Sequence, residues 1–334
     1  MKKTLKRWET VLFCILVLEF IIFATANSKF LMPRVLFGSI NDIIPTCIIS
    51  LFVTFVMITG GIDIQAGSIV GLTSIVLGVS WQDWGLNIWM AALLAMLVAA
   101  VAGGISGYFV AYCGVQPMVV TLGGSFLFSG VALLVSNLSA TESYKGISGF
   151  PEDFVALSKR KLFDVIPNQV IIFIVLAVIA YILLHKTKYG RKIFLVGVNQ
   201  NAAEYSGINS RLVILSTYVL SAVSASVAGI VLTSYLGTAK SDIGATLTMP
   251  IITAVVLGGT LSTGGKGSVL GTALAAVVIG VLRFGLPLCF KVSQQYLDIP
   301  VGMILLVVVI GRAIANNQQV TAKFAKNKGI QRSI

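Results

Sequence analysis

Charge is scarce in this chain. Asp, Glu, Lys and Arg make up 11% of it, against 57% hydrophobic residues. The apolar runs repeatedly approach the ~20 residues that a helix needs to cross a bilayer, which excludes a water-soluble domain. Histidine is almost absent. His185 is the only one, so a multi-histidine metal site within the chain is excluded, and no nucleophile–base set for hydrolysis is visible. The four cysteines (Cys14, Cys47, Cys113, Cys289) lie far apart, in or beside apolar runs, with no CxxC pair and no metal spacing. They read as small buried hydrophobes. Acids are half as numerous as cations, 12 against 24, for a net charge of +12.

That excess follows insertion rather than nucleic acid. The apolar runs divide into ten expected helices, an all-α polytopic membrane protein with both termini in the cytosol. Fifteen of the 24 Lys and Arg then fall inside, eight outside, and Arg283 near a helix end, the positive-inside pattern. Helix 1 covers 11–26; its Ala24-Thr25-Ala26 end imitates a signal-peptidase site, but the long run and Glu19 within it favour an uncleaved span. A polar external stretch (27–42) leads to helix 2 (43–59), helix 3 (69–80) and a tryptophan group, Trp81, Trp84 and Trp89, suited to the membrane–water interface. Helix 4 (89–112) carries the small-xxx-small pair Gly103/Gly107, and helix 5 (118–135) follows a Gly114–Pro117 turn. An external loop, 136–168, holds charge of both signs. Helices 6 (170–184) and 7 (212–235) flank a cytosolic loop, 186–211. Helices 8 (251–257), 9 (269–284) and 10 (299–314) complete the count, before a basic tail with Lys323, Lys326, Lys328 and Arg332.

Four features stand out from this background. The first is the polar run Lys186–Ile208. Its head carries Lys186, Lys188, Arg191 and Lys192; its tail reads as a short helix capped by Asn199 or Asn201, built on Ala202, Ala203 and Glu204 with Ser206 behind, and stopped by Gly207 before Ile208. This is either a docking surface for a soluble partner or a solvated loop. The second is a pair of Gly-rich breaks. Gly60-Gly61, then Gly67-Ser68 and Gly71, mirror Gly258-Gly259, then Gly267-Ser268 and Gly271, as in a parallel internal repeat. The third is Asp63, a carboxylate among glycines and apolar residues. Such a residue is a functional candidate because charge at membrane depth is costly, yet a place at the cytosolic interface, accepting backbone N–H bonds from a broken helix, would also explain it. The fourth is Thr260–Ser268, which nearly imitates a phosphate-binding loop. It has Thr260 where the motif needs Gly, and Gly267 where it needs Ser or Thr. The chain holds no nucleotide site, so ATP, if used, acts on another subunit.

TGGIDIQAGS (59–68), VQPMVVTLGG (115–124), KTKYGR with GVNQNAAEYSGI, and AVVLGGTLSTGGKGS (254–268) together resemble the permease subunits of bacterial ABC importers for ribose and similar sugars. YKGISGFP (144–151), HKTKYGRKIFLVG (185–197) and SYLGTAKSDIGATLTMPIITAVVLGG (234–259) are similar to the branch of that family that imports autoinducer-2. Sugar permeases of the family carry an aromatic–acidic stretch before helix 8, where this chain has Ala245-Thr246-Leu247-Thr248-Met249.

The resemblance implies a multi-pass protein of the bacterial inner membrane, working with an ATP-binding subunit, a second permease subunit and a periplasmic binding protein in a lipid bilayer. It implies no cofactor, no metal and no nucleic acid. It makes Asn199–Ile208 the coupling helix to the ATP-binding subunit. Gly60, Gly61, Asp63, Gln65, Gly67, Ser68, Thr121, Gly258 and Gly259 are then hinge or path residues. The external stretches 142–164 and 237–248, with Lys145, Lys240 and Asp242, are expected to dock the binding protein. An importer of ribose or another monosaccharide, and an ion-coupled transporter using Asp63, are the competing readings.

Overall fold

The computed structural model describes residues 2–142, 144–162, 166–293 and 296–316. Asp164 and the basic tail from Lys323 onward lie outside them. The described chain is mostly helical, with α1 (Lys2–Ala26), α2 (Pro33–Ile58), α3 (Ala66–Gln82), α4 (Ile88–Ala111) and α5 (Pro117–Ser136), then β1 (Ile147–Ser148), α6 (Glu152–Lys159), β2 (Lys161–Leu162) and β3 (Ile166–Pro167). After them come α7 (Asn168–His185), α8 (Lys188–Val198), α9 (Gln200–Tyr205), α10 (Ser210–Leu236), β4 (Thr238–Ala239), α11 (Thr248–Leu257), α12 (Val269–Phe290) and α13 (Asp298–Asn316).

Among the described residues, seven helices are long and apolar enough to cross a membrane, and α3, α11 and the start of α13 are shorter apolar helices. Each of the ten apolar runs expected from the sequence is helical. Several expectations need correction. The 27–42 stretch is not all loop, because Pro33 at the first turn opens α2 ten residues before the expected start at Ile43; Pro fits there because the N–H it lacks would be unbonded. The 136–168 loop is folded, with α6 and two strand pairs inside it. The 186–198 run is a helix, α8, because Gly190, Ile193 and Val196 recur on one buried face.

The bundle is organised around α10. A Cβ on Gly103 of α4 would stand 2.6 Å from the Tyr218 carbonyl oxygen, and one on Gly107 3.0 Å from that of Leu215, so the Gly103/Gly107 pair does bring two backbones together. α8 and α9 cap one end of the bundle. At the other end β1 pairs antiparallel with β4, Ile147 opposite Ala239, and α6 is tied down through Ser158 and Ser234, whose hydroxyls each donate at 2.7 Å to the carbonyls of Val231 and Phe154.

Two of the shorter apolar helices, α3 and α11, are each preceded by non-helical chain. After α2 ends at Ile58, residues 61–64 climb without helix to the middle of the bundle, where α3 begins. After β4, residues 240–247 descend in turns along α3 to the start of α11. The stretch 237–248 is therefore not a wholly external loop. Ala239 lies beside Gly78, the Ser241 carbonyl presses on Gly71, and the Gly244 carbonyl sits where a Gly67 side chain would be.

Candidate functional site

The first break gathers most of the expected hinge residues. Asp63 is buried near the middle of α10, where its Oδ2 accepts from the Ser221 hydroxyl at 2.6 Å. Its Oδ1 accepts the Gln65 backbone N–H at 3.1 Å, at the N-terminal end of α3. The Thr121 hydroxyl donates to the Ile62 carbonyl at 3.0 Å and that of Thr248 to Ile64 at 3.3 Å. Gln65 accepts from Ser106 at 2.7 Å and lies against Gly124. The Thr121 and Thr248 hydroxyls and the Asp63 carboxylate thus take up backbone groups that a continuous helix would pair internally, while Ser106 and Ser221 hold the Gln65 and Asp63 side chains. Asp63 has the backbone partner that the structural reading expects, but it is buried beside Ser221 rather than at an end of the bundle. Ser221→Ala would strand a buried carboxylate oxygen at a cost of about 1–3 kcal/mol. A lowered thermal midpoint in detergent checks this, and an unchanged midpoint means that backbone bonds alone hold Asp63.

The two Gly-rich breaks share one hydrogen-bond pattern. In the first, the N–H of Gly60 bonds to Met57 and that of Gly61 to Val56; in the second, Gly259 bonds to Val256 and Thr260 to Val255. These are nested helix-ending turns that need a left-handed residue, and Gly60 (φ 87°) and Gly259 (φ 103°) provide it. The equivalence is thus Gly60 with Gly259, shifted by one residue from the pairing of Gly60 with Gly258 that the glycine pattern suggests. The breaks also touch, since the Gly265 N–H donates to the Ile58 carbonyl at 2.8 Å. Gly258 packs against the α12 backbone at Thr272, and Ser68 accepts from Ser129 at 2.9 Å.

The coupling candidate is α9. Asn199 caps it, its side chain accepting the Ala202 N–H at 3.0 Å, while Asn201 sits exposed in the first turn. Ala203 is buried beneath it, and the Ser206 hydroxyl donates to the Ala202 carbonyl. Gly207 has φ 79°, and the Ile208 N–H returns to Ala203. Glu204 accepts from the Ser210 hydroxyl and the Gln200 amide. Those donors hold its carboxyl below the usual carboxylate range, so it stays ionised to lower pH. Sequence reasoning missed Tyr205, the most exposed large hydrophobic side chain among the described residues, at 93%; Leu195 and Val198 of α8 are exposed as well. Between α9 and the first break lies a polar cleft of ≈ 440 Å³, lined by Thr59, Gly61, Tyr112, Gln116, Glu204 and Arg211 among others.

At the opposite end, Lys145 pairs with Glu142 at 2.7 Å, and the stem of Lys240 packs near Gly146 across the β1–β4 pair. Asp242 does not join them, since its segment descends along α3.

A helical bundle with discontinuous crossings at its centre and a capped, exposed helix at one end defines a membrane transport subunit. The chain belongs to the family of permease components of branched-chain amino acid transport systems, whose description matches residues 35–309. It is similar to autoinducer 2 import system permease protein LsrD of Yersinia pseudotuberculosis serotype O:3, with 41% identity over 92% of each chain. The LsrD proteins of Yersinia enterocolitica serotype O:8 and Yersinia pestis strain Pestoides F are 41% identical over the same share. No solved structure matches.

Proposed function

We propose that this chain is a permease subunit of an ATP-driven importer that carries autoinducer-2 across the bacterial inner membrane. The observation that supports this reading best is the 41% identity to LsrD along 92% of both chains. The seven long spans and three shorter apolar helices together make ten crossings in this reading, with α8, α9 and both termini in the cytosol. The shared turn geometry of the two breaks supports a parallel internal repeat.

In the complete importer an ATP-binding subunit engages α9, a second permease subunit covers part of the bundle, and a periplasmic binding protein delivers the solute. A small polyhydroxylated molecule cannot cross ~30 Å of hydrocarbon unaided, since each unpaired hydroxyl costs kilocalories. Closure of the ATP-binding subunits would push α9 and move the two touching breaks, opening the bundle to one side at a time. Lys145 and Lys240 stand on the face that meets the binding protein.

The test is deletion of this chain in a host that keeps the other subunits. Uptake of labelled autoinducer-2 should stop and that of ribose continue. Reversing Lys145 and Lys240 together should slow association of the binding protein. Continued autoinducer-2 uptake without the chain overturns the proposal.

A further inference from the structure

The turns between β4 and α11 occupy a position that lipid does not tolerate. From Gln82, the outer end of α3, the helix runs ~16 Å to Gly71 and ~22 Å to Gly67. The Ser241 and Gly244 carbonyls pack against those two glycines, and the Thr248 hydroxyl bonds to Ile64 further down. Trp84 and Trp89, both exposed, mark the interface beyond the end of α3. Residues 241–247 therefore lie within the ~30 Å apolar slab. Yet they are not helical, and Asp242, Ala245 and Thr246 are exposed there. Non-helical backbone at this depth persists only inside protein or against water, and an exposed carboxylate there would be costly in lipid. α5, packed on α3, carries small and polar groups among its exposed apolar side chains. Ser129 is exposed and bonded to Ser68, and Gly123 and Gly130 look onto open space.

We infer that Asp242–Thr246 forms one wall of a water-filled path through the membrane, where Asp242 and Thr246 present oxygen atoms to a small polyhydroxylated solute. The inference rests on the importer reading above. A carboxylate accepts from two hydroxyls at once and the threonine hydroxyl both donates and accepts, so the wall suits a neutral, hydroxyl-rich molecule. The neighbouring Ala245 leaves room beside the wall.

The experiment uses the assembled importer in lipid nanodiscs, where both faces are open to reagent. Cys14, Cys47, Cys113 and Cys289 are replaced by serine, and Asp242→Cys, Ala245→Cys and Thr246→Cys are each exposed to a charged, membrane-impermeant methanethiosulfonate. Tyr144→Cys, on the exposed outer loop, and Leu97→Cys, at 64% exposure in the middle of α4, are the wet and lipid-facing controls. The three wall positions should react within about tenfold of Tyr144→Cys and about a hundredfold faster than Leu97→Cys, because only a hydrated thiolate reacts. Rates as slow as Leu97→Cys at all three positions overturn the inference and make this a dry packing face. Added autoinducer-2 should slow labelling of Thr246→Cys. Protection by ribose and not by autoinducer-2 keeps the wall and overturns the substrate reading. Protection by neither overturns the solute contact.

Discussion

Gly207→Val, Glu204→Lys and Tyr205→Ala should each yield a chain that reaches the membrane at normal level but neither retains an ATP-binding subunit nor supports uptake. The three act on different physical features of α9. Gly207 sits at φ 79°, and a Cβ there would meet nothing within 4 Å beyond its chain neighbours; the cost is conformational, about 1–2 kcal/mol for a left-handed β-branched residue. Relaxing that strain redirects the chain as it leaves α9. Glu204 is an ionised acid in a cationic region, and lysine replaces attraction by repulsion while losing the bonds from Ser210 and Gln200. Glu204→Gln keeps acceptor geometry without charge and separates the two effects.

Tyr205 is 93% exposed, and aromatic side chains of this kind anchor interfaces when a partner buries them. Its loss touches nothing inside the fold. If α9 were a solvated loop, each change would alter stability by less than ~0.5 kcal/mol and nothing else. Co-purification of the ATP-binding subunit with epitope-tagged variants decides it. Normal retention in all three removes the coupling role.

Much of this architecture was legible in the sequence because a bilayer narrows the choices. Long apolar runs have to be helices there, and all ten of the expected apolar runs are helical, seven of them at spanning length. The cap at Asn199 and the stop at Gly207 were legible for a similar reason, since their side chains solve local backbone problems. What escaped depended on long-range partners. Asp63 and Ser221 stand 158 residues apart, and no local pattern ties them. α8 was hidden because its charged face, with Arg191 and Lys192, outweighs the three small and apolar residues that bury it. The 237–248 stretch misled for a subtler reason. Polar composition reports contact with water or with polar protein groups, but not where they are, and only the packing of Ser241 and Gly244 on α3 places this stretch inside the bundle. The register of the two breaks likewise needed hydrogen bonds, because adjacent glycines look alike in text.

Gly197→Val should separate attachment of the ATP-binding subunit from transport. Gly197 lies near the end of α8, where the chain turns toward α9, and its Cα faces the point at which the two breaks touch. A Cβ there would overlap the Ile58 carbonyl oxygen and stand 2.7 Å from the Gly265 nitrogen, the two atoms that bond to each other. Neither is a flexible side chain, so backbone must move. Overpacking of this sort costs about 1–3 kcal/mol, and here the displacement falls where α8, α2 and the loop before α12 meet. The exposed face of α9 is untouched, so the ATP-binding subunit should still co-purify while uptake falls at least about tenfold, the equivalent of ~1.4 kcal/mol. Gly104→Ala is the matched control, since its Cβ would meet only a Val219 methyl at 3.9 Å and should leave uptake near normal. Loss of the ATP-binding subunit together with uptake in Gly197→Val would mean that α8 and α9 dock as one surface. Full uptake would mean that the junction of the breaks does not carry the motion.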